Sequence, residues 1–274
     1  SLSPNRGVTL GASGGTFSID ANKSTSFAGT LTGSGALTKT GSGSSLFRSS
    51  NDFTGGTTVS AGNLVVGGGA NALGTGSVAV GARLSFATSA TATFANGFSI
   101  TGAGIVENTG TNPITLTGLV NTNLSATTVL DGGAAGITIS GNATPAGQGA
   151  GYYIKGNLTF QGNSLDGLII QSVGDATATF AASNGVTNFT PLWIGGLTSP
   201  AAMSIQVNTG LVLTENVLQS AGDMYYKNLS GAGTLNMGGT ASTGYVVGDA
   251  EIVTLTSSGA KKISIGNGGA TGRL

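Results

Sequence analysis

The sequence contains no cysteine and no histidine among its 274 residues. Catalytic sites that pair a nucleophile with histidine, and zinc sites of the usual Cys/His type, are therefore excluded. Without cysteine no disulfide can form, which suits a chain that passes through an oxidising compartment. We expect no catalytic residue, no cofactor and no metal, and we predict that the protein is not an enzyme.

Charge is also scarce, at 7% of residues against a usual share of about 25%. The ten basic and ten acidic residues balance, and only Lys261 and Lys262 are adjacent bases. The sequence therefore lacks the basic surface that binds nucleic acid. No apolar run approaches the roughly 18–20 residues that span a bilayer, so we expect no membrane insertion of this segment.

Glycine, in contrast, is abundant, at 50 residues. Most glycines separate short runs rich in Val, Ile and Thr, and several runs alternate, as in Ile137-Thr-Ile-Ser and Ile263-Ser-Ile. Alternation is typical of strands with one buried and one solvated face, and helical periodicity is missing. The pattern predicts an all-β parallel β-helix (a solenoid), with a β-sandwich as the alternative. The predicted strands are Val8–Leu10, Thr16–Ile19, Thr57–Val59, Asn63–Val66, Ser77–Val80, Ile114–Thr117, Gly136–Ser140, Asn157–Phe160, Leu168–Gln171, Ser204–Val207, Leu211–Thr214, Glu251–Thr256 and Lys262–Ile265.

One glycine motif occurs three times, beginning at Leu31, Ile100 and Leu229. Each copy has an apolar residue, a hydroxyl residue, Gly, a small residue, Gly, and then a return to apolar residues. We interpret each copy as a corner at which one strand ends and the next begins. The predicted corner glycines are Gly33, Gly35, Gly102, Gly104, Gly231 and Gly233.

Aromatic residues make up only 6% of the chain, and exposed ones are candidates for contact with a ligand or partner. Adjacent residues of a strand face opposite sides, so one tyrosine of each Tyr-Tyr pair is predicted to point outward. Residues 142–153, rich in small residues, are predicted to protrude as a loop. The candidate contacts are Tyr152, Tyr153, Trp193, Tyr225 and Tyr226.

No linker divides the sequence, so residues 1–274 are predicted to form one continuous domain. The repeat pattern is closest in residues 1–85, and residues 86–274 are interpreted as degenerate coils. A solenoid ends in open strands, and neither terminus carries a helical or charged cap. We therefore expect the chain to be part of a longer parent or to pair with another copy of itself.

The ordered motifs Leu31-Thr-Gly-Ser-Gly-Ala-Leu, Phe53-Thr-Gly-Gly-Thr-Thr-Val and Asn71-Ala-Leu-Gly-Thr-Gly-Ser-Val resemble the autotransporter-associated β-strand repeat of bacterial passenger domains. The resemblance is close over about the first 85 residues. It implies a right-handed parallel β-helix that is secreted or displayed on the bacterial cell surface, with a role in adhesion or matrix formation. Ser44-Ser-Leu-Phe departs from the family, where a more apolar strand follows the corner.

These features together predict an extracellular structural or adhesive solenoid, whose partners are other copies of itself, in a filament or matrix, or surface glycans. Two alternatives stay open. One is a β-helix that binds or cleaves carbohydrate, like a polysaccharide lyase or a phage tailspike. Against cleavage, Asp166 with Asp175, and Asp249 with Glu251, are interpreted as solvated turn residues. The other alternative is a passive scaffold that carries a separate effector domain.

Overall fold

The computed structural model describes residues 6–121, 128–141, 143–145, 151–161, 169–181, 188–189, 193–194, 203–209, 211–215, 224–237, 243–246, 250–257 and 262–265. In these ranges the regular structure consists of strands, and no helix could cross a bilayer. The short glycine-bounded runs explain this, because β-branched residues favour strands while glycine interrupts any helix.

Twenty-nine strands follow one another along the described ranges. The first fifteen are β1 (Val8–Leu10), β2 (Gly15–Ser18), β3 (Ser24–Phe27), β4 (Leu31–Gly33), β5 (Leu37–Thr40), β6 (Ser44–Phe47), β7 (Thr57–Val59), β8 (Asn63–Val66), β9 (Val78–Val80), β10 (Arg83–Phe86), β11 (Ala92–Phe94), β12 (Phe98–Ile100), β13 (Ile105–Asn108), β14 (Ile114–Leu116) and β15 (Leu119–Asn121). The others are β16 (Val129–Asp131), β17 (Ile137–Ile139), β18 (Ala143–Pro145), β19 (Gly151–Phe160), β20 (Ile169–Phe180), β21 (Asn188–Phe189), β22 (Trp193–Ile194), β23 (Met203–Val207), β24 (Val212–Glu215), β25 (Met224–Tyr226), β26 (Leu229–Met237), β27 (Thr243–Val246), β28 (Ala250–Ser257) and β29 (Lys262–Ile265).

The strands stack in parallel along three faces; up to β18, each coil adds a strand to faces B and C, but the two coils that contain β7 to β10 add none to face A. Face A begins with the pair β1–β4 and later contains β11, β14 and β17. Face B contains β2, β5, β7, β9, β12, β15 and β18. Face C contains β3, β6, β8, β10, β13 and β16. Parallel pairing of successive coils is the defining feature of a β-solenoid, so this prediction is confirmed.

In some coils a single strand continues around a corner from one face to the next, with no loop between the faces. β19 and β20 each run from face C into face A without a break, and their pairing shifts register between Ile154 and Gly156. β26 and β28 likewise run from face A into face B, with a register shift between Gly231 and Thr234. In β19 and β26 the bend lies at a glycine with positive φ, Gly156 or Gly231.

The interior is a column of mostly apolar side chains in register from coil to coil. On face B, Leu37, Thr57 and Val78 are in register and all buried. The aromatic rings stack in the same direction: Phe160 and Phe180 are register partners with centroids 5.4 Å apart and planes 15° apart. Each inward residue is thus covered by its equivalents above and below.

The predicted strands agree closely with those observed in the described ranges. Val8–Leu10, Thr57–Val59, Asn63–Val66 and Lys262–Ile265 have the predicted bounds. The prediction missed several strands, among them β3, β6, β10 and β13, and residues 142–153 do not form a single loop, because β18 and the start of β19 occupy part of that range.

Ser44-Ser-Leu-Phe, the sequence that departs from the family pattern, forms β6. It keeps its place because Phe47 points inward beside Phe27, with ring centroids 6.0 Å apart, although Ser45 occupies the other inward position. The buried ring of Phe47 thus supplies the large inward side chain of this strand.

Candidate functional site

The three glycine motifs all lie at corners, but they are not equivalent corners. The motifs at Leu31 and Leu229 turn the chain from face A to face B, whereas the motif at Ile100 turns it from face B to face C. Gly33 and Gly231 have nearly the same φ, 101° and 105°. A side chain there would meet the carbonyl of Leu10 or Val207 in the preceding coil. These corners therefore need glycine both for conformation and for close contact between coils.

The second glycine of each motif is required for space alone. A Cβ on Gly35, Gly104 or Gly233 would overlap a backbone carbonyl oxygen of the coil below, although none of the three has a positive φ. The motif is thus a stacking device, and its spacing reflects contact between coils rather than a ligand-binding loop.

Three buried asparagines bridge coils, and the sequence analysis did not single them out. Asn51 is 4% exposed; its Oδ1 accepts the N–H of Leu31 at 2.8 Å and its Nδ2 donates to the carbonyl of Ala72 at 2.6 Å. Asn96 donates to the carbonyls of Gly74 and Gly76. The third is Asn108, whose Nδ2 donates to the carbonyl of Gly136 at 2.8 Å. Each side chain replaces backbone pairing where the corners leave backbone groups without a strand partner.

Lys39 is fully buried on the inward side of β5, between Phe17 and Val59 in the stack. Its Nζ donates to the carbonyls of Thr40 at 2.8 Å, Gly41 at 2.9 Å and Ala61 at 3.1 Å. Burial lowers the pKa of this ammonium from its usual value of 10.5. The one signal for it in the sequence is its position two residues after Leu37, which places it on the inward side of an alternating strand.

Some charged residues on the outer surface form ion pairs between coils. Glu107, Asp131 and Lys155 are successive rungs of face C; Lys155 Nζ lies 3.3 Å from Asp131, and Arg83 pairs with Glu107. Exposed pairs of this kind contribute at most about 1 kcal/mol each. Within the described ranges no three His, Cys, Asp or Glu residues lie together as a metal site would require.

Neither of the two carboxylate pairs considered in the sequence, Asp166 with Asp175 and Asp249 with Glu251, can be located as a pair, because one member of each lies outside the described residues. Asp175 is exposed and pairs with Lys227, with 3.0 Å between Nζ and Oδ1. Glu251 is exposed, while Asp166 and Asp249 lie outside the described residues.

The tyrosines of the first Tyr-Tyr pair face opposite sides. Tyr152 is buried and its hydroxyl donates to the carbonyl of Leu119 at 3.3 Å. Tyr153 lies partly exposed on the outer side of face C, in register with Val129. Tyr226 of the second pair is buried as well. The side chains of Tyr225 and Trp193 lie outside what the structure describes, and ligand contact by Tyr153 stays a prediction.

The geometry defines a class: a parallel β-solenoid with glycine corners, an apolar column inside, and an outer surface of short polar side chains. Residues 37–66, from the start of β5 to the end of β8, match the family model of the passenger-associated-transport-repeat. This match and the stacked coils fit an autotransporter-passenger-like repeat. Comparison with curated proteins and with solved structures finds no match.

Proposed function

We propose that this chain is a bacterial surface-displayed or secreted structural solenoid that mediates adhesion and performs no catalysis. The observation that carries this proposal is the passenger-repeat match on two adjoining coils, 37–66, in a solenoid whose outward side chains are mostly hydroxyls and amides. Such a surface offers many weak hydrogen bonds over a long area, which suits attachment rather than turnover.

Surface display is tested on the bacterium that produces the chain. Intact cells are labelled with antibodies to the chain before and after external protease, and a deletion strain serves as the control. We expect labelling of intact cells that protease removes. Labelling that requires permeabilised cells contradicts display.

Adhesion is tested separately, by comparing attachment of the deletion strain and its parent to abiotic surfaces and to other cells. We expect the deletion strain to attach less. If the chain is displayed and removed by protease, but the deletion strain attaches as well as its parent, the passive-scaffold alternative is favoured. Release of sugar fragments from neutral or acidic polysaccharides by the purified chain would contradict the non-catalytic role.

Association between copies is part of the same proposal. The formal net charge is zero, so little electrostatic repulsion keeps copies apart. Negative-stain images of the purified chain are expected to show fibres or bundles longer than one chain. Uniform isolated particles at high protein concentration would contradict assembly while leaving display and adhesion untouched.

A further inference from the structure

One outward row of face A is made of threonine on five successive rungs. Thr93, Thr115, Thr138, Thr159 and Thr179 are consecutive register partners, and we name this row the threonine ladder. Parallel strands lie about 4.8 Å apart, so the ladder presents a hydroxyl at that interval. Because threonine is branched at Cβ, few χ1 rotamers are available and the row is regular.

The hydroxyls of the ladder are free for a partner. Within the described part of the chain, none of the five side-chain hydroxyls makes an intramolecular hydrogen bond; the backbone groups pair within the sheet. Neighbouring hydroxyls differ: Thr117 and Ser140 donate back to the carbonyls of Phe94 and Leu116. The ladder therefore keeps its hydrogen-bonding capacity for an external partner, while the residues beside it are used by the fold.

The residues next to the ladder threonines on the outward side are uncharged over these five coils, although the Asp175–Lys227 ion pair shares a surface pocket with Asn157 and Thr177. The outward residues two positions before and after each ladder threonine are Thr91, Ala95, Pro113, Thr117, Gly136, Ser140, Asn157, Gln161, Thr177 and Ala181. A partner with fixed charges would gain no ion pair here and would lose hydration, whereas a neutral hydroxyl-rich partner exchanges its hydrogen bonds to water for equivalent ones.

A groove of about 240 Å³ adjoins the first rung of the ladder. It is lined by segments 68–70 and 88–93, which contain no ionisable residue and include Thr93 itself. Thr88 lines this groove, is 4% exposed, and its hydroxyl has no hydrogen-bond partner in the described structure. The lining of the groove is therefore neutral, like the outward side of the ladder that it adjoins.

We infer that face A binds a neutral polysaccharide, which extends along the threonine ladder and places one sugar unit in the groove beside Thr93. This inference deepens the proposed adhesive function and rests on it. The rung spacing is comparable with the length of one pyranose unit in an extended glycan, so successive sugars meet successive hydroxyls. The uncharged surroundings select against uronic and sulfated polymers.

The test is affinity electrophoresis of the purified chain in native gels that contain glucomannan, dextran, alginate or heparin. The first variant is T115V/T138V/T159V, which removes three hydroxyls and keeps shape and β-branching. Its matched control is T16V/T38V/T58V, the equivalent outward row of face B. We expect the wild type to be retarded by a neutral polymer, the ladder variant to lose at least about tenfold in affinity, and the control less than about twofold.

A second pair of variants tests the groove. Gly69→Leu fills it, because a Cβ at Gly69 meets open space; Gly97→Leu is the control, since its Cβ is equally unobstructed. We expect only Gly69→Leu to weaken retardation. Urea midpoints that stay within error of wild type confirm that every variant is folded.

Several results would overturn the inference. These are no retardation by any neutral polymer, stronger retardation by alginate or heparin, or equal losses in ladder and control variants. If the ladder variant binds polysaccharide normally but shows altered self-association in size-exclusion chromatography, face A is an interface between copies instead. Normal bacterial attachment by the ladder variant, with attachment lost on deletion of the chain, would refute this site and leave the adhesive function standing.

Discussion

Asn51 is the most demanding test of how the coils are held together. Replacing it with leucine keeps a side chain of similar size and branching but removes both bridging hydrogen bonds. The N–H of Leu31 and the carbonyl of Ala72 then stay buried without those partners. An unsatisfied buried polar group costs about 1–3 kcal/mol, so Asn51→Leu is expected to lower the free energy of unfolding by about 2–6 kcal/mol.

The matched control is Asn157→Leu. Asn157 is exposed and makes one described side-chain bond, from Nδ2 to the carbonyl of Ala134 at 2.9 Å. We expect this change to cost less than about 1 kcal/mol, because water replaces the lost bond. Urea unfolding followed by circular dichroism gives both values, and amide exchange at Leu31 reports the local effect. Equal losses in the two variants, or unchanged exchange at Leu31, would refute the bridging role.

Three further predictions concern the corner, the core and the buried ammonium. Gly33→Ala is expected to destabilise by at least about 1–2 kcal/mol from its positive φ, whereas Gly69→Ala should stay within about 0.5 kcal/mol of wild type in the same urea assay. Phe160→Ala should cost about 3–5 kcal/mol, measured likewise; less than 1 kcal/mol would contradict a packed interior. Burial lowers the pKa of Lys39 below 10.5, so the unfolded chain holds more protons in the window just below that value. The free energy of unfolding of the wild type, measured relative to that of Lys39→Met, should therefore rise as the pH increases towards about 10.5. A difference between the two proteins that does not change with pH would contradict this.

Much of the fold follows from local sequence rules. Alternation and glycine spacing predict β7 and β8 to the residue, because each is a short run rich in β-branched residues between glycine-containing turns. The corners at Gly33 and Gly231 are equally predictable, since only glycine adopts their φ at low cost. These features depend on residues within a few positions of one another.

Other features depend on the neighbouring coil and escape such rules. From the sequence alone Lys39 would be assigned to the surface, because the Ala61 carbonyl that accepts from its ammonium belongs to the next coil; the Gly41 carbonyl accepts as well. Asn51 gains its role from Leu31 and Ala72, about twenty residues away on either side. The threonine ladder is also invisible in one dimension, since its members align only when coil lengths are known.

The registers between coils have a kinetic consequence. Val8 pairs with Leu31, Leu37 with Thr57, and Leu229 with Ala250, so backbone partners are always separated by roughly one coil of chain. Closing such a short loop is entropically cheap and fast compared with pairing distant segments. A folded coil exposes strand edges on which the next coil can pair, so the solenoid can fold sequentially, one coil after another. The first coils of such a chain can fold while the rest of the sequence is still unfolded.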